Sequence, residues 1–426
     1  MSHAVGRTRS LEESALSSSC RCLRLLGRCC MDYIYLDNNA TTPLLPVVWE
    51  AMRPYLTETF GNPSSAHAAG RRARRALEEA RESLAAHLGA EAPEVLFTSG
   101  ATEANNLALF GLCGESPGHL LASAVEHPSV SEPLRQLSTG GFHLDLLPVD
   151  KHGLVPVSSL TEHLRPDTRL VAVMLANHET GALQPISSLV KQLRDWAAER
   201  AAAAPYFHCD ATQAVGKVPV HFHDLGVDTL ALSAHKFHGP KGIGALVVRR
   251  GTPLRPRTWG GHQQYGRRPG TEPVALAVGL ACALDYACRD MKERLAHVRR
   301  LRERFLAHLQ AHAAPIVLNG PDDRCCAADP TGLPHTINVS FPGVPADVLL
   351  MNLDLAGVAC STGSACSSGS LLPSPVLQAM GVAEEVLRSA LRFSLSPLLS
   401  LPAIEEAARR IAAVVSRLRS RPSIPA

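Results

Sequence analysis

From Met31 to about residue 290 the chain alternates short apolar runs with amphipathic helical stretches, and that alternation admits few folds. The runs Val95–Thr98, His119–Val125, Leu170–Ala176, Tyr206–Cys209, Thr229–Leu232 and Gly244–Val248 have the length and near-continuous apolar character of strands buried on both faces. Between several of them lie stretches such as 71–88 and 187–202, with apolar residues at the three-to-four spacing of a helix face. Strand and helix in alternation predict a parallel sheet covered on both sides, the doubly wound α/β class.

Near residue 284 the texture changes. The stretch to about 312 reads as one long charged amphipathic helix, a spine between lobes. Beyond it, strand candidates at Thr336–Phe341, Gly357–Cys360 and Leu391–Leu395 precede an amphipathic helix near 402–419, a mixture that predicts a smaller α+β lobe. A length of 426 residues suits such a two-lobed enzyme.

Several function classes are disfavoured. Lys and Arg number 42 against 39 Asp and Glu, and a net charge of +3 is too small a footprint for nucleic acid or an anionic membrane. The apolar runs fall short of the roughly 20 residues of a spanning helix. Twelve cysteines are scattered through a long chain with no secretory apolar region, so reduced thiols and a cytoplasmic setting are expected. Residues 1–30, which hold Cys20, Cys22, Cys29 and Cys30, lack a period and are expected to be a disordered extension or a mis-assigned start before Met31. Glu12 and Glu13 argue against a transit peptide, and the C-x-C and C-C spacings support a metal-binding arm only weakly.

The chemistry-bearing residues follow the strands, where open α/β sheets place ligands. Ser233-Ala234-His235-Lys236 follows Thr229–Leu232 and precedes a glycine-bearing loop. A lysine beside a histidine is ordinarily a solvated charge, but 26 residues earlier another strand ends at Asp210, followed by Thr212 and Gln213. A lysine for a Schiff base and an aspartate for a pyridinium nitrogen are the pair that pyridoxal phosphate requires; alone, Asp210 could equally cap the following helix. Val95–Thr98 runs into Ser99-Gly100-Ala101-Thr102, a turn opening a helix whose N-terminus suits a phosphate. His127 could stack on a flat ring and move protons, although a lone histidine is more often structural. Cys366 sits among Ser, Thr, Gly and Ala, in a segment too small and polar to bury much, which favours a nucleophilic or carrier thiol over a structural one.

In order and spacing these stretches resemble the cysteine desulfurases of the NifS and IscS type, relatives of the class V pyridoxal-phosphate aminotransferases. The resemblance runs from Met31 to about Val415 through YLDNNATTPL (35–44), GNPSSAHAAGRRAR (61–74), FTSGATEANNLAL (97–109), VEHPSV (125–130), ANHETGALQPI (176–186), CDATQAVGK (209–217), LSAHKFHGPKGIGAL (232–246), RRPGTEPV (267–274) and LLMNLDLAGVACSTGSACSSGS (349–370). It implies fold type I of the pyridoxal-phosphate enzymes: a large cofactor domain, 47–290, with a mainly parallel seven-stranded sheet, and a small domain, 291–426, joined by the N-terminal segment 31–46.

The resemblance also implies roles. Lys236 would hold the cofactor, Asp210 keep its ring nitrogen protonated, Gln213 bond its phenolic oxygen and His127 stack on the ring. Ala101, Thr102, Ser233 and His235 would cup the phosphate, with Thr271 arriving from the partner of a homodimer. Asn177 would lie near cofactor and substrate, and Arg392 would clamp the substrate α-carboxylate. Lys236, His127 and Cys366 would be catalytic, converting L-cysteine to L-alanine and leaving a persulfide on Cys366 for an acceptor protein such as an iron-sulfur scaffold. No resident metal is implied; Cys366 would ligate an iron-sulfur cluster only transiently, with a scaffold. His235 and His238 lack a third ligand for a metal of their own.

The chain departs from the family pattern at several places. His178 stands where a second asparagine is usual, His335 in place of a common Pro-Asn-Thr run, and Cys360 in place of a valine. After Arg392 the turn becomes Ser394-Leu395-Ser396-Pro397-Leu398-Leu399. Selenocysteine lyase shares fold and lysine, and Pro373-Ser374-Pro375-Val376-Leu377 is reminiscent of it; the Ser/Gly segment around Cys366 looks closer to a desulfurase. A silent scaffold that binds a sulfur acceptor would have no need of Lys236, Asp210 and Cys366 together, nor a plain aminotransferase of Cys366.

Overall fold

A computed structural model of the chain describes residues 33–321, 331–363 and 373–420. The strands in chain order are β1 (Ile34–Tyr35), β2 (Val95–Thr98), β3 (His119–Ser123), β4 (His143–Leu147), β5 (Thr168–Ala172), β6 (Tyr206–Asp210), β7 (Thr229–Ser233), β8 (Gly244–Val248), β9 (Val317–Asn319), β10 (Thr336–Ser340), β11 (Val358–Ala359) and β12 (Ala390–Ser394). Seven of them form one sheet in the order β2-β8-β7-β6-β5-β3-β4. The pairs β3/β4, β3/β5, β5/β6 and β6/β7 are parallel, and β8 alone runs against its two neighbours. The sheet is therefore mainly parallel and seven-stranded, as expected from the sequence.

Successive side chains of these strands enter opposite cores, as the two-residue strand period requires. Leu121, Val171 and Leu230 join a cluster with Leu77, Leu84, Leu193 and Leu280, whereas Leu120, Leu170 and Ala231 join a second with Leu107, Val130 and Leu134. Burial on both faces makes the strands read as apolar runs. β4 escaped that reading: it lies at the sheet edge, most of its HLDLL sequence is exposed or half-exposed, and Asp145 interrupts the apolar pattern.

The single helix predicted over 284–312 is two helices. One spans Val274–Arg289, the other Met291–His312, and Asp290 between them has non-helical φ −124° and ψ 40°. The periodicity runs through the break because each helix keeps an apolar stripe. Leu280 and Leu284 pack into the large-sheet core, while Val298, Leu301, Phe305 and Leu309 pack into another. The helix predicted over 187–202 spans Ile186–Glu199, and Ala201 beyond it has φ +48°.

A separate core surrounds the antiparallel sheet β12-β10-β9 and is closed by helices Met291–His312, Ala346–Leu355 and Leu401–Arg419. Phe305 and Phe393 meet edge to face across it, ring centres 5.3 Å apart. The segment from Ile34 belongs here: β1 pairs in parallel with β11, Leu36 is fully buried, and Asn38 Nδ2 donates to Ser394 O at 2.8 Å. The segment then continues to Asn39 and Ala40, against the large sheet. Among the described residues, no helix is long and apolar enough to cross a membrane.

Candidate active site

Strands β2, β3, β5, β6 and β7 point the same way, so their C-terminal ends gather on one edge of the sheet. The residues that follow them line a cavity of about 500 Å³: Gly100, Ala101 and Thr102 after β2, His127 after β3, His178 after β5, Asp210 and Gln213 at the end of β6, Ser233, His235 and Lys236 after β7. A second cavity of about 790 Å³ shares Ala40, His127, His178, Gln213 and Lys236 with the first and reaches Arg392. The sheet thus collects residues as far apart in sequence as Gly100 and Lys236 around one space.

Lys236 closes a short turn after β7, and its Nζ donates to the backbone oxygens of Asn39 at 2.6 Å and Ala40 at 2.9 Å. Asp210, on the adjoining strand, is 6% exposed. Its Oδ1 accepts from Thr212 N at 2.9 Å and its Oδ2 from Asn105 Nδ2 at 2.8 Å. Asn105 is oriented in turn, since its Oδ1 lies 3.0 Å from His208 Nε2, and His208 Nδ1 lies 2.9 Å from Thr229 Oγ1. Burial keeps the His208 imidazole neutral, its pKa lowered despite the nearby Asp210. Asn105 and His208 were not singled out from sequence. Their only signal there is a polar residue at an otherwise apolar position of a helix and of a strand.

His127 caps helix Pro128–Thr139: Ser129 N donates to its Nδ1 at 3.0 Å. In the neutral ring the hydrogen therefore sits on Nε2. Burial lowers its pKa, with Lys236 and Arg392 adding to the effect and Asp210 opposing it. The His178 ring meets it edge-on at 5.2 Å.

The lining of the first cavity also offers donors suited to an anion. Gly100 opens helix Ala101–Cys113 without a side-chain cap, leaving its first N–H groups facing the space that Ser233 and His235 also line. Gly244 on β8 permits the turn to approach, since a Cβ there would lie 2.7 Å from Gly100 Cα. Thr212 Oγ1, on the same lining, is buried with no partner among the described residues. Burial first, then Lys236 and Lys241, pushes the His235 pKa down to about 4, so its ring is neutral. Orphan hydroxyl, free helix N–H groups, buried carboxylate and strand-end lysine together fit pyridoxal phosphate, which carries an anionic phosphate, a basic ring nitrogen and an aldehyde.

Arg392, on β12, is 2% exposed. Its Nη2 donates to Asp37 Oδ1 at 2.8 Å and its Nη1 to His178 O at 3.1 Å and Gly363 O at 3.3 Å, while Nε has no partner among the described residues. The guanidinium so held faces the second cavity with donor capacity to spare.

Not every expected residue gathers here. Asn177 is 1% exposed and lines neither cavity. Its Oδ1 accepts from Glu179 N and Thr180 N, both at 2.9 Å, and its Nδ2 donates to Val125 O at 3.1 Å, so it braces a turn, and its neighbour His178 faces the cavities instead. Thr271 is exposed and away from this chain's cavities. Cys366 lies outside the described residues. On either side of it, Gly363 O is bonded to Arg392 and Pro373 lines the second cavity. Cys360 packs against the small-lobe core, and burial raises its thiol well above the usual range. His238 ties segments together, its Nδ1 3.0 Å from Pro43 O and its Nε2 3.0 Å from Ser396 Oγ.

The sequence profile described as aminotransferase class-V matches residues 34–402. The chain is similar to the cysteine desulfurase IscS of Dictyoglomus turgidum, 43% identical over 365 residues that cover 85% of this chain and 89% of that protein. Among solved structures it is similar to a NifS-like protein at TM-score 0.83 and 33% identity, covering 90% of this chain and 100% of the other. It is also similar to SspA in complex with cysteine at TM-score 0.73 and 34% identity, covering 85% and 99%.

Proposed function

The chain belongs to the class V aminotransferase family, and on that premise we propose that it is a pyridoxal-phosphate-dependent cysteine desulfurase, converting L-cysteine to L-alanine and holding the sulfur as a persulfide on Cys366. The observation that carries this reading is the meeting of Lys236 and Asp210, from neighbouring strand ends, on a cavity whose lining also offers unpaired donors. Bound pyridoxal phosphate supplies an electron sink that stabilises the charge left when a Cα proton departs. The remaining work falls to the chain.

Lys236 would hold the cofactor at rest and, with its amine free, would remove and return the substrate Cα proton. Asp210, fixed by Asn105 and Thr212, would hold a proton on the ring nitrogen. Gln213 donates to the phenolic oxygen, and His127 covers the ring. Ala101, Thr102, Ser233 and His235 hold the phosphate, joined by Thr271 of the other subunit in a homodimer. Arg392 receives the substrate carboxylate through its Nε side, a geometry a planar fork suits. The Cys366 thiolate attacks the substrate sulfur; the new S–S bond forms as the Cβ–S bond breaks, and Cβ gains a proton to become the methyl group of alanine. The Cys366 proton leaves before the attack, and the positive charges of Lys236 and Arg392 on the cavity lining would favour the thiolate. The persulfide then passes to an acceptor protein such as an iron-sulfur scaffold, with Cys366 serving as a transient cluster ligand.

A reducing compartment such as the cytoplasm suits this chemistry, and the described cysteines Cys113, Cys209, Cys282, Cys288 and Cys360 are all free thiols. The test is alanine and sulfide release from L-cysteine by purified protein, with L-selenocysteine in parallel. Turnover on cysteine upholds the reading; turnover on selenocysteine alone makes the protein a lyase.

A further inference from the structure

Lys217 is four residues beyond Gln213, and its side chain is buried, yet the mechanism above does not use it. A buried amine needs hydrogen-bond partners. Its Nζ donates to two amide oxygens, Gln213 Oε1 at 2.6 Å and Asn39 Oδ1 at 2.9 Å. Two hydrogens suffice for these bonds, so they persist even though burial, with Lys236 and Arg392 nearby, lowers the Lys217 pKa well below the usual lysine value.

These contacts decide which way both amides point. With Oε1 turned to Lys217, Gln213 directs Nε2 the other way, where it donates to the backbone oxygen of Asn39 at 3.0 Å. A donor at one end and an obligate acceptor at the other leave one orientation. Only one of the two Nε2 hydrogens is needed for Asn39, and Gln213 lines both cavities. Asn39 is fixed likewise: with Oδ1 on Lys217, its Nδ2 donates to Thr336 Oγ1 at 2.8 Å and His178 O at 3.2 Å. The same Asn39 backbone oxygen receives Lys236 Nζ.

We propose that Lys217 is a positioning residue that locks the Gln213 amide so that an N–H, and not a carbonyl oxygen, faces the phenolic oxygen of the cofactor. The inference rests on the cofactor reading above. Without Lys217 the amide can turn over and set oxygen against oxygen, and Asn39 loses one of its anchors.

The test is a double-mutant cycle in the full-length holoenzyme: Lys217→Met and Gln213→Met, singly and together. The readouts are the rate of pyridoxal phosphate loss on dialysis and the position of the visible absorbance band, beside kcat/KM for L-cysteine. In the wild-type background Lys217→Met is expected to speed cofactor loss roughly tenfold, the size of one hydrogen bond to a charged group, and to move the band. In the Gln213→Met background the same substitution should change the rate by less than about twofold. Equal effects in the two backgrounds overturn the proposal, because Lys217 would then act without Gln213. Should Lys217→Met fail to fold, Lys217→Gln, which is polar but too short to reach both oxygens, is read in the same cycle. A wild-type protein that takes up no pyridoxal phosphate would instead refute the cofactor reading, an outcome visible without any variant.

Discussion

Replacing Asp210 with asparagine exchanges one oxygen for an amide nitrogen and removes a charge. Both Asp210 oxygens now accept, one from Thr212 N and one from Asn105 Nδ2. An asparagine has a single acceptor, so its NH₂ group must confront one of those donors. Asn105 cannot turn over to relieve the conflict, because its Oδ1 is engaged by His208 and its Nδ2 also donates to Ser129 Oγ at 2.9 Å. The variant loses a charge-assisted bond, about 1.5–3 kcal/mol, and gains an unpaired buried donor at about 1–3 kcal/mol more. A total of roughly 3–5 kcal/mol should lower the melting temperature by several degrees. Turnover should fall at least about a hundredfold, since a neutral amide no longer holds a proton on the ring nitrogen; that factor corresponds to about 2.8 kcal/mol. Adding Asn105→Asp supplies an acceptor opposite the new NH₂, so the pair should regain much of the stability while turnover stays low. Calorimetry and steady-state alanine release read the two effects separately. An Asp210→Asn variant that melts with the parent and turns over within tenfold of it would refute both parts of the argument.

Arg392→Lys keeps a charge but loses the fork, so KM for L-cysteine should rise roughly 10- to 100-fold, the range of one lost charge-assisted bond, with kcat changed less; an unchanged KM would remove Arg392 from the carboxylate site. The buried His238 has its pKa pushed down to about 4, chiefly by burial. Between that value and the ordinary value near 6.5 the unfolded chain binds a proton that the folded chain does not, so stability should fall as pH drops through this window, and His238→Gln should flatten part of the slope in melting temperature between pH 7 and pH 4.5. A slope untouched by the substitution would assign the effect to other buried histidines, such as His335. His178→Asn should alter cofactor absorbance or substrate KM, because His178 lines both cavities, whereas Asn177→Ser should chiefly lower stability; the reverse pattern would place Asn177, not His178, beside cofactor and substrate.

The sheet was legible because its strands are buried on both faces and read as apolar runs. β4 was hidden because an edge strand with Asp145 in its middle has no such run. The break at Asp290 was hidden because two helices packing into different cores share a continuous periodicity. Lys236 and Asp210 could be read as candidates from their positions after strands, since strand ends in a parallel sheet converge whatever their separation in sequence. Asn105, His208, Lys217 and Asn39 could not: each is held by at least one partner a hundred or more residues away, and a polar residue in an apolar stretch does not name that partner. Asn177 and His178 show the finest limit. Adjacent residues of a turn point in opposite directions, and only the structure tells which one faces the cavity.

The central claim concerns Cys366. Incubating the protein with L-cysteine in the absence of reductant, and then locating added sulfur on tryptic peptides by mass spectrometry, tests it most directly. The account predicts alanine released in step with a persulfide on Cys366, and for Cys366→Ala a retained cofactor absorbance with no alanine burst. Sulfide and alanine released undiminished by Cys366→Ala would contradict it.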